Sequence, residues 1–189
     1  MELLKNLFGF AFFGVAAGLA TGQAVQNPSF LVWLAVLHNL LLAATYLVRT
    51  PAAAYDRTGL WLGLLAALVP SVHSLPALMP VYAEVVGLAG YSLVLWSLWT
   101  LGSSFGVAPA DRGLVSQGPY RWVRHPMYLG ELIFRFALIT ASPQPFWSFL
   151  LAIALAAIQV ARILREERVI RGYRLYADWI RWRLVPGIW

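Results

Sequence analysis

The first hundred residues run through four long apolar stretches that hold a single charged residue, Glu84, and this constrains the fold more than any other feature. The stretches are 7–25, 30–48, 60–79 and 81–101. A helix needs roughly 20 apolar residues to cross the hydrocarbon core of a bilayer, so each is a candidate membrane helix. Two more follow: 127–141, short for a span, and 146–164, long enough for one. Pro70 and Pro76 are expected to kink or break the third stretch. Ser142-Pro143-Gln144-Pro145 implies a tight hairpin between the last two. The segment after Met1 shows no convincing cleavage site and reads as a first membrane helix. Only 12% of the residues are charged, against about 25% in soluble domains. The expectation is an all-α, polytopic membrane protein with about five to six membrane helices. It reads as one membrane domain, with helices over 1–100 and a core for chemistry over 101–189.

The net charge of +6 raises nucleic acid as a partner, but the placement of the charges answers it. Lys5, Arg49, Arg57, Arg112, Arg121 and Arg124 flank alternate ends of the stretches, and seven arginines from Arg162 to Arg183 close the last one. Thirteen of the 14 basic residues fall on one side, Arg135 being the exception; the connections near Gln26, Pro80 and Gln144 carry none. By the positive-inside rule both termini and the two longer polar loops lie in the cytoplasm. The positive charge is then an orientation signal and a contact for anionic lipid heads. With no targeting segment visible, a prokaryotic inner membrane is expected. The absence of cysteine excludes disulfides and thiolate metal sites, and no metal is expected.

Polar groups are costly in lipid, so their positions are informative. His38-Asn39 lies mid-stretch and suggests an interhelical hydrogen bond. His73 lies between two prolines, and Glu84 is near the same surface. Gly14, Gly18 and Gly22, and then Gly59 and Gly63, have the spacing of close helix packing. Glu131 and Arg135 are four apart and suggest a neutralised pair packing the hairpin, or a pair lining a lipid-facing entrance.

The chemistry gathers after Leu101. Pro126 favours a helix that starts at its own position. His125 and Arg124 then sit at the mouth of a helix whose free N–H groups favour an anion. The hairpin brings Glu166 and Glu167 back to the same level, and Arg162 lies one turn from Glu166 on the same face. An anion site beside a cation site, opening on lipid, suits a zwitterionic cofactor and an amphiphilic substrate.

The string Gly118-Pro119-Tyr120 … Arg124-His125-Pro126-Met127-Tyr128-Leu129-Gly130, with Arg162 and Glu166-Glu167 downstream, resembles a family of membrane methyltransferases. The family includes isoprenylcysteine carboxyl methyltransferase and the phospholipid N-methyltransferases. The resemblance covers roughly 101–189 and implies S-adenosyl-L-methionine as methyl donor, in a pocket formed by the C-terminal hairpin. It implies that Arg112, Gly113, Leu114, Val115, Tyr120, Arg124, His125, Pro126, Met127, Tyr128 and Glu166 hold the cofactor. It points to Arg162 for substrate contact; where the acceptor needs a base, Glu166, Glu167 and His125 are the candidates. Arg112 stands where the carboxyl methyltransferases have His, and the aromatic segment downstream is shortened to Gly172-Tyr173-Arg174-Leu175-Tyr176. The implied acceptor is a lipophilic molecule: a carboxylate, amine, phenol or thiol of a lipid or isoprenoid-like compound. The alternatives are a membrane reductase of the sterol-reductase architecture using a nicotinamide cofactor, and a non-catalytic membrane subunit. Oligomeric state is not legible.

Overall fold

The computed structural model describes residues 2–26, 30–68 and 80–189. Its helices are α1 (Glu2–Gln26), α2 (Phe30–Val48), α3 (Arg57–Leu68), α4 (Val81–Leu101), α5 (Pro126–Ala141), α6 (Pro145–Val169) and α7 (Tyr173–Trp179). Four helical segments are long and apolar enough to cross a membrane: Leu3–Gln26, Phe30–Val48, Val81–Ser104 and Pro145–Val169. The protein is an all-α, polytopic membrane protein. Large apolar side chains such as Leu19, Trp61, Val81, Trp99 and Phe146 point outward, as lipid, but not water, would favour.

Of the third expected span, only α3 is described; Pro70, His73 and Pro76 lie outside the described residues. α5 has 16 residues, about 24 Å at 1.5 Å per residue, short of a roughly 30 Å core. It begins at Pro126, where a missing N–H costs nothing. Ser142 to Gln144 form the turn before Pro145 opens α6 in the same way.

Helix α4 packs on α5, and α1 on α2, while α6 lies against α3 and α5. The α4–α5 crossing is set by two glycines that the sequence reading passed over. A Cβ on Gly90 would stand 2.7 Å from the Gly130 carbonyl oxygen, and one on Gly130 2.6 Å from that of Gly90. Of the glycines singled out earlier, Gly59 and Gly63 do allow α3 to approach Pro109 and Val107. Gly14, Gly18 and Gly22 do not act this way among the described residues, where a Cβ on any of them meets nothing within 4 Å. The expected interhelical bond of His38-Asn39 is also replaced. Asn39 Nδ2 donates to the Ala35 carbonyl of its own helix at 2.8 Å, and His38 packs its ring on Tyr91 of α4.

The loops between alternate helices meet at one end of the bundle. Arg49, after α2, donates to Asn6 near the start of α1. The two-residue strands β1 (Ala54–Tyr55) and β2 (Ala110–Asp111) pair antiparallel and join the α2–α3 loop to the α4–α5 loop. Arg165 of α6 pairs with Asp56 at 2.8 Å. Both ends of the chain therefore share one side of the bundle, as the charge pattern predicts. An apolar core continues into this end: Tyr46, Leu98, Phe105, Val107, Met127, Tyr128 and Ile163 are buried together.

Candidate active site

A pocket opens at this end between the 104–128 loop, the start of α5, the end of α6 and α7. Each wall has a local cause. Just before Pro126, the backbone N–H groups of His125 and Arg124 donate to the Arg183 and Trp182 carbonyls, both at 2.9 Å, and hold this segment in place. Gly113 takes a positive φ of 95° at the bend before Leu114 and Val115, a conformation that glycine adopts without strain. Gly172, at φ 75°, lets the chain turn from α6 into α7. That short helix then presents Tyr173 and Tyr176, three residues apart and on one face, to the pocket.

The hairpin brings the two carboxylates level with His125, as the spacing predicts, and then divides them. Glu166 lines the pocket; it accepts a hydrogen bond from the Tyr128 hydroxyl, and its Oε2 lies 3.6 Å from His125 Nδ1. Glu167 stands to one side in a network of ion pairs. It meets Arg124 at 3.1 Å and takes two bonds from the Arg183 guanidinium, both at 2.9 Å. Tyr173 closes the ring, with its hydroxyl 2.9 Å from His125 Nε2. Arg162 is buried beneath the pocket, 3.9 Å from Glu166, donating to the Val107 carbonyl, with its guanidinium over the Tyr128 ring.

Most of the residues singled out from the sequence thus converge on one wall or another: Arg112, Gly113, Leu114, Val115, Tyr120, Arg124, His125, Met127, Tyr128 and Glu166. Pro126 shapes the wall without lining it, while Arg162 and Glu167 buttress it. The reading missed Tyr173 and Tyr176 as wall residues; their spacing after a turn glycine was the available signal. It also missed Asp111, which anchors the loop by accepting from Arg171 at 2.8 Å. Hydrogen bonding to Arg171 is the main cause that holds the Asp111 carboxyl below the usual carboxylate range. Burial, and behind it the Glu167 carboxylate, raise the Tyr173 hydroxyl above its ordinary value. Burial pushes Tyr176 up to about 12, so it stays a neutral donor, bonded to the Tyr120 carbonyl.

Glu131 and Arg135 act on each other electrostatically, as the spacing suggests, but without direct contact. The Glu131 carboxylate is bonded by Gln159 of α6, and no ion pair within 4 Å joins it to Arg135 among the described residues. Arg135 is buried, with its guanidinium 5.7 Å from the Phe134 ring.

The fold and the pocket define a class: a polytopic membrane protein with a polar, aromatic-walled pocket where its helices meet one membrane surface. A family model described as phospholipid methyltransferase matches residues 79–177, just over half of the chain. The protein belongs to that family and is a membrane methyltransferase. No curated protein and no solved structure matches the chain.

Proposed function

We propose that the protein transfers a methyl group from S-adenosyl-L-methionine to a lipophilic acceptor drawn from the bilayer. The observation that carries this reading is the joining of opposite charges at one pocket, which the Glu166 carboxylate and the Arg124 guanidinium both line. The residues fit a zwitterionic nucleoside cofactor. Arg124 Nε is buried without a partner, so it has a donor left for a carboxylate. Glu166 offers acceptors to an ammonium or to sugar hydroxyls, and Tyr120, Tyr128, Tyr173 and Tyr176 make the wall aromatic. The free volume is ≈ 90 Å³, below the roughly 300–1,000 Å³ of ligand sites, so the wall must open on binding. Arg112, Gly113, Leu114, Val115, His125, Pro126 and Met127 complete the cradle.

When bound, the cofactor supplies a methyl group on a sulfonium centre. This chain's residues do the rest by placement. Buried Arg162 orients an acidic or phosphate-bearing acceptor through its guanidinium fork. Glu166, held by Tyr128 and facing His125, takes a proton where the acceptor must lose one. Glu167 fixes Arg124 and His125 in position. Alignment and exclusion of water supply most of the rate. The site faces the cytoplasm by the placement of basic residues, in a prokaryotic inner membrane.

The test is transfer of labelled methyl from S-adenosyl-L-methionine into extracted lipid by the purified protein. Label should enter the lipid fraction, and Arg162→Ala should abolish it while cofactor affinity stays within about threefold. Cofactor affinity lost in that variant would assign Arg162 to the cofactor instead.

A further inference from the structure

Seven arginines run from Arg162 to Arg183, and the fold accounts for five of them. Arg162 lies inside the bundle, Arg165 pairs with Asp56, and Arg171 pairs with Asp111. Arg183 holds Glu167, and Arg181 lies over the Trp182 ring. Arg168 and Arg174 are exposed and join no ion pair among the described residues. Both line one cavity of ≈ 460 Å³ on the outside of the turn from α6 into α7. Ile170 and Tyr173 form a wall that it shares with the active-site pocket. Its one carboxylate, Glu167, is already engaged by Arg124 and Arg183. The cavity lies at the level of the membrane surface. Trp96 of α4, directed outward, meets Trp122 edge to face at 5.4 Å, and such tryptophans mark the interface. Arg124, two residues on, is bonded to the carbonyls of Arg181 and Trp182, just past α7. An exposed stripe of α6 climbs to the cavity through Ile153, Ala157, Val160 and Leu164 and ends in Arg168, at the spacing of one helix face. On α7, Leu175 and Trp179 are 71% and 86% exposed beside Arg174, which lipid favours and water does not.

We propose that this outer cavity binds the headgroup of an anionic phospholipid, with Arg168 and Arg174 on its phosphate and its acyl chains along Val160 and Leu164. Guanidinium forks match the oxygens of a phosphate. A phospholipid meets both features at once, the paired cations at the surface and the apolar stripe below them. A headgroup that carries its own ammonium fits less well. Its net charge is zero, the two guanidiniums repel the ammonium, and Glu167 is held by cations of the chain itself. The lipid bound here is not the methyl acceptor, because Ile170 and Tyr173 stand between the two cavities. The site therefore does not depend on the methyl-transfer reading.

The experiment counts bound lipid by native mass spectrometry of the detergent-purified full chain, with dioleoylphosphatidylglycerol and dioleoylphosphatidylcholine as probes of equal chain length. Phosphatidylglycerol should bind about tenfold more tightly or better, from about fivefold for each arginine at a membrane surface. The double variant Arg168→Gln, Arg174→Gln should bring the two probes within about twofold of each other. Arg121→Gln, which removes an exposed arginine elsewhere on the same surface, should leave the preference intact. Equal binding of the two probes by the unaltered protein overturns the proposal, and so does a preference that survives in the double variant. A preference lost equally in Arg121→Gln also overturns it, since the effect would then be diffuse charge and not a site. Inorganic phosphate at the concentration of the lipid should displace none of it; displacement would assign the cavity to a free anion and reject the lipid. Should the double variant fail to fold, the two probes, the Arg121→Gln control and the phosphate competition decide without it.

Discussion

Adjacent carboxylates at the end of α6 carry different duties because a helix turns about 100° per residue. Glu166 faces the pocket and Tyr128, while Glu167 faces Arg124 and Arg183. Their substitutions should therefore differ in kind. Glu167→Gln removes one charge from a partly buried network, and should cost stability, about 1–3 kcal/mol, readable as a lowered Tm. Glu166→Gln should leave Tm within a few degrees and act on cofactor binding. Asp111 gives a pH signature. Its carboxyl titrates below its usual value in the folded chain, so its bond to Arg171 stabilises the loop fully above about pH 4. That contribution is lost as pH falls through the lowered folded value. Asp111→Asn should remove this part of the acid dependence, measured by Tm from pH 7 down to 3. At this scale the sequence was informative: Pro126, the Arg162–Glu166 spacing and the hairpin turn fixed where most wall residues would meet. The duties of Glu166 and Glu167 were not legible, since helical rotation relative to α5 is set by packing.

At the level of elements, the pocket depends on how closely α4 and α5 approach. Gly90 and Gly130 allow backbone to meet backbone, and a side chain on either collides with a carbonyl oxygen. Gly130→Leu should push α5 outward and move Tyr128 and Met127 with it. The expected result is loss of folded protein, or a Tm lowered by several degrees as for an overpacked core. Gly14→Leu, where an added Cβ meets nothing within 4 Å among the described residues, should leave Tm within about two degrees. The contrast shows why spacing alone misled: Gly14, Gly18 and Gly22 repeat every four residues, but a repeat names a face without naming its neighbour. Helix boundaries were legible from apolar length and proline. The pairing of β1 with β2 was not, because two bonded residues leave no pattern. α7 was also obscure, being too short for an apolar stripe.

The whole molecule is organised about one surface of the membrane. Loops after α2 and α4 and the segment after α6 meet there, and with them nearly all the basic residues. Reporter fusions at either terminus should therefore fall on the same side, and the placement of arginines predicts the cytoplasm. A terminus found outside would reverse the orientation and put the pocket on the other face. The family assignment gives the reaction class, and the pocket suggests the donor; everything proposed for the acceptor depends on that donor being right. The most direct test is isothermal titration of the detergent-purified protein with S-adenosylhomocysteine, beside Glu166→Ala as a folded control. Saturable binding that is lost in Glu166→Ala is the predicted result. A folded protein that takes up no S-adenosylhomocysteine, or a Glu166→Ala variant that binds it undiminished, would contradict the proposed pocket.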